Sequence, residues 1–194
     1  MTDLSNWAPF QVLIGPADVY LALVGEEFPD LGDAPAGDWA QIGRTEGGVT
    51  ARKTQDITAV TADQHTGPIK AARTAEGVEV EFGIVDMTLE SMAYALDSLV
   101  TTAGAGADQT QEIKLHSGVA VTLYSVLVRG RSPYANAPAQ YQVPVAYQQE
   151  SVEVSHVKDD KSVLSTVWVA LEDLSAVEDD DRFGSLIAAD PVAT

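Results

Sequence analysis

The chain has 194 residues, 45% of them hydrophobic, which suits one domain with a real core and argues against wholesale disorder. Eleven Lys and Arg stand against 29 Asp and Glu, a formal net charge of −18, so no general phosphate-neutralising face for nucleic acid is expected. The absence of cysteine excludes disulfides and thiolate metal sites, and no apolar run approaches the ~20 residues of a bilayer span.

Residues 1–16 read as an N-terminal arm, with Trp7, Phe10 and Val12–Ile14 as apolar anchors ahead of Gly15-Pro16. The arm shows neither a basic leader region nor a cleavage site, so no secretory signal is expected. Residues 17–175 are predicted to form a single β domain, and residues 176–194 an acidic C-terminal extension. Apart from Asp18, Ala17–Val24 is a continuous apolar run, the pattern of a strand buried on both faces. Glu26–Gly37, with Pro29, Gly32, Pro35 and Gly37, predicts a loop. Trp39–Gly43 predicts a short strand, and Thr45–Gly48 a glycine-marked break.

From Val49 to Thr61 the alternation is imperfect. Thr50, Arg52, Thr54, Asp56 and Thr58 fall on one face, and Val49, Ala51, Ile57 and Ala59 on the other, with Lys53 and Gln55 interrupting. The threonine and β-branched content favours strand. Gly67-Pro68 predicts a turn and Ile69–Thr74 an antiparallel return. A long, mostly polar strand pair does not stabilise itself in isolation, so this segment points to assembly with neighbours rather than to catalysis.

Val78, Val80, Phe82 and Ile84 alternate with Glu79 and Glu81, predicting a strand over Val78–Val85 with one buried face. Leu89, Met92, Ala93, Leu96, Leu99 and Val100 recur as one apolar stripe. With Thr88 or Asp86 as cap, they predict a helix over about 88–101, ended by Gly104 and Gly106. Beyond it, Gln111–His116 and Val119–Gly130 predict a hairpin about Ser117-Gly118, and Ser132–Pro138 a loop. Tyr141, Val143, Val145 and Tyr147 share a strand face on which Pro144 marks an edge or a bulge. Ser151–Val157 and Val163–Leu171 predict a second hairpin around Lys158–Lys161. The tail, with Glu178–Asp181 and then Phe183-Gly184, reads as a mobile or docking extension. The fold class is α+β: a mostly antiparallel β-sandwich or barrel with one flanking α-helix.

No catalytic constellation emerges. His65, His116 and His156 are isolated and lack metal-ligand spacing, and Ser117 and Ser185 lack a nucleophile elbow. Gly104-Ala105-Gly106 follows a predicted helix instead of a strand, unlike a nucleotide loop. The consecutive acids Glu178–Asp181 do not match the alternating pattern of a calcium loop. Glu79 and Glu81 on one strand face read as repeated negative surface. The chain is not expected to be an enzyme, and no cofactor or metal is expected.

Trp39, Ile42, Gly43 and Thr45–Val49 form a Trp-x-x-Ile-Gly strand followed by a Thr-Glu-Gly-Gly-Val break. In this cassette the chain resembles the major tail tube proteins of long-tailed, siphovirus-type bacteriophages. The likeness continues in order through the turn from Asp63-Gln64 to Gly67-Pro68, the strand Val78–Val85 and the helical segment Thr88–Val100, over roughly residues 5–175. The resemblance implies a structural virion protein, made in the host cytoplasm, that closes into hexameric rings stacked as a hollow tail tube. Its implied partners are further copies of itself and tape-measure and tail-end proteins. DNA would pass through without specific binding, and no membrane is involved. Asp56, Glu79, Glu81 and Glu153 are then candidates for the lumen lining. Trp39 and Ile42 would anchor the cassette's strand in the core, and Gly43, Gly47 and Gly48 would set the turn into the long hairpin. An alternative reading is an acidic β-sandwich module that binds a ligand or carbohydrate through tyrosines such as Tyr134, Tyr141 and Tyr147.

Overall fold

A computed structural model describes residues 15–133, 137–156 and 158–189. Most of the expected arm (1–14), Tyr134 and residues 190–194 lie outside these. Ten strands and one helix are seen: β1 (Asp18–Leu23), β2 (Ala40–Gln41), β3 (Thr45–Val60), β4 (Lys70–Ile84), α1 (Leu89–Ala95), β5 (Val100–Ala103), β6 (Thr110–Ile113), β7 (Tyr124–Arg131), β8 (Pro138–Gln148), β9 (Leu164–Ala170) and β10 (Ser185–Ala188). The fold is α+β, a mostly antiparallel sandwich with a single short helix, as the sequence patterning indicates.

One sheet runs in the order β2-β1-β7-β8-β9-β4-β3, with β10 added on β8 and every pairing antiparallel. The strand β8 belongs to both layers. Its first half, Ala139–Gln142, carries β10 on one edge, and its last residues, Ala146–Gln148, carry β9. Pro144 falls between these two stretches, where a residue without an N–H costs no ladder bond. The register with β7 shifts there, between Tyr124 and Val126, so Pro144 marks a bulge in a central strand and not an edge. Ser125 Oγ donates to the Pro144 carbonyl at 2.8 Å and satisfies the backbone at the irregularity.

Both layers bury their inner faces in one core around Trp168, Leu164, Val126, Val143, Phe82 and Ile84. Trp168 is 1% exposed, and Tyr124 meets it edge-on at 5.6 Å. Its indole Nε1 donates to Thr166 Oγ1 at 3.3 Å, and that hydroxyl donates to the Phe82 carbonyl at 3.2 Å. The polar groups carried into the core are therefore partnered. A second cluster, Ala22, Trp39 and Leu127 with Tyr20 and Phe28, lies on the opposite side of β1. Two cores explain the apolar residues Val19–Ala22, while Leu23 and Val24 beyond them are exposed.

Several elements depart from the sequence expectation. The helix stops at Ala95 instead of continuing to about 101. Thr88 caps it as expected, accepting the Ser91 N–H at 3.1 Å. The stop is set by Asp97, which adopts φ 48°. Ser98 N–H then reaches Ala93 O at 3.0 Å and Asp97 N–H reaches Tyr94 O at 3.4 Å, a Schellman closure made without glycine. The Asp97 carboxylate also accepts the Thr122 N–H at 3.1 Å, a long-range contact that apolar periodicity does not show. Leu99 is left 80% exposed, and Val100 opens β5.

The first expected hairpin is absent: β6 pairs with β5, while β7 pairs with β1 and β8. Gly104 turns the β5–β6 hairpin instead of ending a helix. The second is absent as well, because β9 pairs with β8 and β4, and Ser151–His156 form no strand. Val152 and Val154 still pack on the core, which accounts for their alternation. In the tail, Phe183 packs on the core and β10 joins the sheet through Ser185–Ala188.

Trp168→Ala is expected to cost about 3–5 kcal/mol in chemical denaturation, the usual loss for a large buried aromatic. Leu174→Ala, at a site 82% exposed, should change stability by no more than about 0.5 kcal/mol.

Candidate assembly ribbon

The segments 69–74 and 78–85, which read as separate strands, form the single strand β4, and it pairs along nearly all of β3. At about 3.4 Å per residue, the 16 residues of β3 span roughly 50 Å. Only one end is attached to the body. Glu79–Ile84 of β4 pair with β9, whereas Lys70–Val78 have β3 alone. The outer edge of β3 has no strand partner among the described residues.

Packing follows the same division. Near the body, Val80, Phe82 and Ile84 are buried, and Val49 and Val78 pack against the core. Farther out, Gln55–Val60 and Lys70–Glu76 are exposed on both faces, including Ile57 at 57% and Val60 at 46%. The distal ribbon is held instead by polar contacts across the two strands and along β4. Lys53 Nζ meets Glu76 at 3.1 Å, Arg73 meets Glu76 at 3.2 Å, and Arg73 Nε donates to Gln55 Oε1 at 3.1 Å. The hydrogen bond from Lys53 is the main cause that holds the Glu76 carboxyl below its ordinary range. Such exposed pairs contribute little individually.

The cassette sits at the root of the ribbon. Trp39 stacks near Phe28, with ring centroids 5.1 Å apart, and its Nε1 donates to the Glu27 carbonyl at 2.9 Å, fastening the Glu26–Gly37 loop. Ile42 is 1% exposed in the main core. Its carbonyl accepts from Ser91 Oγ at 2.8 Å, so the helix supports the strand leading to the ribbon. The expected strand Trp39–Gly43 is reduced to Ala40–Gln41. Gly47 and Gly48 do not break the chain. They form a bulge inside β3, with φ 77° and 88°, where the register with β4 jumps between Glu46 and Val49.

A contact that sequence reading missed clamps this root. Asp86 accepts the Arg44 N–H at 2.8 Å and meets the Arg44 guanidinium at 2.6 Å. These bonds from Arg44, the side-chain one first, hold the Asp86 carboxyl down at about 2. Gly43 is required here because a Cβ would lie 2.9 Å from Asp86 Cβ and its φ is 108°. Arg44 and Asp86 are 42 residues apart, and no local spacing signals the pair. Lys161 adds a second tie, meeting Glu46 at 2.8 Å.

Asp56, Glu79 and Glu81 lie on the ribbon face turned away from the core, as the register with Ala75, Arg52 and Thr50 shows. Arg52 stands between both glutamates, 3.2 Å from Glu79 and 3.7 Å from Glu81. Glu153 is not on the ribbon; it is exposed on the β8–β9 connection and accepts from Ser155 Oγ at 3.3 Å. His65 lies in the turn at the ribbon tip, and His116 and His156 are exposed elsewhere. Tyr141 packs against the core and Tyr147 is half-buried. Charge is also divided: residues 53–74 carry three Lys and Arg against two Asp, and the rest of the chain eight against 27 Asp and Glu.

No group of three His, Cys, Asp or Glu able to hold a metal is found among the described residues, and no helix there is long and apolar enough to cross a membrane. No protein-family model matches the chain, and no curated protein matches it either.

Two outcomes are expected at the root. Gly47→Val and Gly48→Val should each lose about 1–2 kcal/mol, because a branched residue is strained at positive φ, and the Asn variants should lose less. A Cβ at either position meets nothing within 4 Å, so equal stability of the Val and Asn variants would exclude a conformational cause. For Asp86, the folded carboxyl at about 2 lies below its ordinary 3.8. Its contribution is thus present above the unfolded value and lost as pH falls through the folded one. The difference in denaturation midpoint between wild type and Asp86→Asn should be full above about pH 4 and vanish towards about pH 2.

Proposed function

We propose that the protein is a structural subunit that polymerises through the β3–β4 ribbon, the building block of a phage-type tail tube. The observation that carries this reading is the distal ribbon, two strands exposed on both faces with an outer edge unpaired among the described residues. A two-stranded ribbon is marginal by itself in water, and a long open edge is a template for pairing. Neighbouring copies that set ribbon beside ribbon around a ring supply the missing partners and remove the edges. Such contacts are head-to-tail, so they close into rings that can stack. The resemblance of the Trp39–Val49 cassette to tail tube proteins gives the ring its hexameric order and the tube its role as a DNA conduit.

In this arrangement the ribbon face away from the core turns to the lumen. It presents Asp56, Glu79 and Glu81 against Arg52 and, opposite Val60, Lys70, which leaves one net negative charge per copy. A net negative lining repels phosphates at close range, where a Debye length of about 8 Å leaves the field only partly screened. DNA then passes without adhering.

Replacing residues 57–73 by an Asn-Gly turn tests the reading, because these residues make no core contact. The full chain should form rings or tubes in sedimentation and negative-stain microscopy. The shortened chain should remain a monomer with the same thermal unfolding. Assembly of the shortened chain, or a full chain that stays monomeric at every concentration, would overturn the proposal.

A further inference from the structure

A second pair of open edges lies in the body. The strand β3 pairs only with β4, and β10 only with β8, so each has a free edge among the described residues. The two edges face one another across a seam made of two adjoining grooves. One groove, of about 350 Å³, is lined by Gly48, Val49 and Ala51 of β3 and by Leu186 and Ala188 of β10, over Val128 and Tyr141. The next, of about 300 Å³, continues with Ala51–Lys53 against Gly184–Leu186, over Val78 and Val143. Gly48 thus lies towards Ala188 and Lys53 towards Ser185, so β3 and β10 run in opposite directions across the gap. The floor is apolar: Val128 and Val143 are each 3% exposed, and Tyr141 packs on the same core. An apolar trough between two unpaired backbone edges is the geometry that accepts an added strand.

Gly15 and Pro16 line this seam, and only at its Ala188 end. The chain immediately before them is Pro9-Phe10-Gln11-Val12-Leu13-Ile14, in which Phe10, Val12 and Ile14 alternate. Read backwards from Gly15, that segment enters at the Gly48 and Ala188 end and extends towards Lys53 and Ser185. Its own direction is then antiparallel to β3, the favoured ladder geometry. Five residues, Phe10–Ile14, match the five of Val49–Lys53, roughly 16 Å of strand. Pro9, which donates no N–H, suits the far end of such a strand.

We infer that the seam between β3 and β10 is a strand-acceptor site and that its occupant is the chain's own segment Phe10–Ile14, paired antiparallel to β3. The inference is independent of the polymerisation reading, since it concerns the proximal half of β3 and needs no second copy. Seating this strand closes the seam between β3 and β10 and covers the free edges of both.

Amide hydrogen exchange on the full chain, at a dilution where sizing shows a monomer, tests it. Amides of residues 49–53 and 185–188 should exchange at least about ten-fold faster when residues 1–14 are deleted, or in full-length Val12→Asp and Ile14→Asp variants. A synthetic peptide of residues 7–16 should restore protection to the truncated chain. Unchanged exchange in all three altered chains would overturn the proposal. So would protection that rises with concentration in the full chain, which would assign the strand to a second copy. Residues 54–60 serve as an internal reference, because their protection reports ribbon assembly and not seam closure.

Discussion

The ladder between Glu79–Ile84 of β4 and Leu164–Val169 of β9 carries the arrangement of the whole molecule. On the core side it sets Val80, Phe82 and Ile84 beside Trp168, Thr166 and Leu164 on one buried face. At its other end it stops at Glu79 and Val169, because the chain beyond Ala170 leaves the remainder of β4. Everything beyond that point is a ribbon whose backbone groups are satisfied on one edge only. The split between a packed body and an unpacked arm is thus set by the length of one strand. Polarity follows it: where the third strand stops, valine and phenylalanine give way to alanine, threonine and charge.

The root of the ribbon shows how orientation is fixed without much buried area. Arg44 and Asp86 bracket the two strands where they leave the core, Ser91 ties the helix to Ile42, and Lys161 reaches Glu46 from the β8–β9 connection. Each contact is short, and most are exposed. Their combined effect is directional more than energetic, since surface ion pairs contribute little to stability but restrict which way a strand pair can leave.

Much of the fold was legible in the sequence because it rests on short-period patterns. The alternation at Val78–Ile84 marked the buried face, Thr88 the helix cap, and the continuous apolar run at β1 a strand between two cores. The departures share a physical cause: they depend on contacts between distant residues. The helix ends where Asp97 finds Thr122, not where its apolar stripe runs out. Val152 and Val154 alternate as a strand would, yet they pack as side chains without a backbone partner. The ribbon itself was visible as a polar strand pair. The Arg44–Asp86 clamp, the countercharge at Arg52 and the separation of Glu153 from the other acids were not, because each is set by register or by connection path.

The described ends of the chain meet at one corner of the sandwich. Gly15 lies against the Arg131 side chain, while Ala189 donates its N–H to Pro138 and accepts from Ser132 Oγ at 2.8 Å. Arg131 and Pro138 are themselves paired across β7 and β8. The order in which these strands are threaded is therefore nearly circular. A short peptide joining the two ends, with the chain reopened in the exposed turn at the ribbon tip, would keep every ladder among the described residues of the body and leave β3 and β4 without their covalent turn. Such a permutant separates what the body needs for folding from what the arm needs a covalent turn to do.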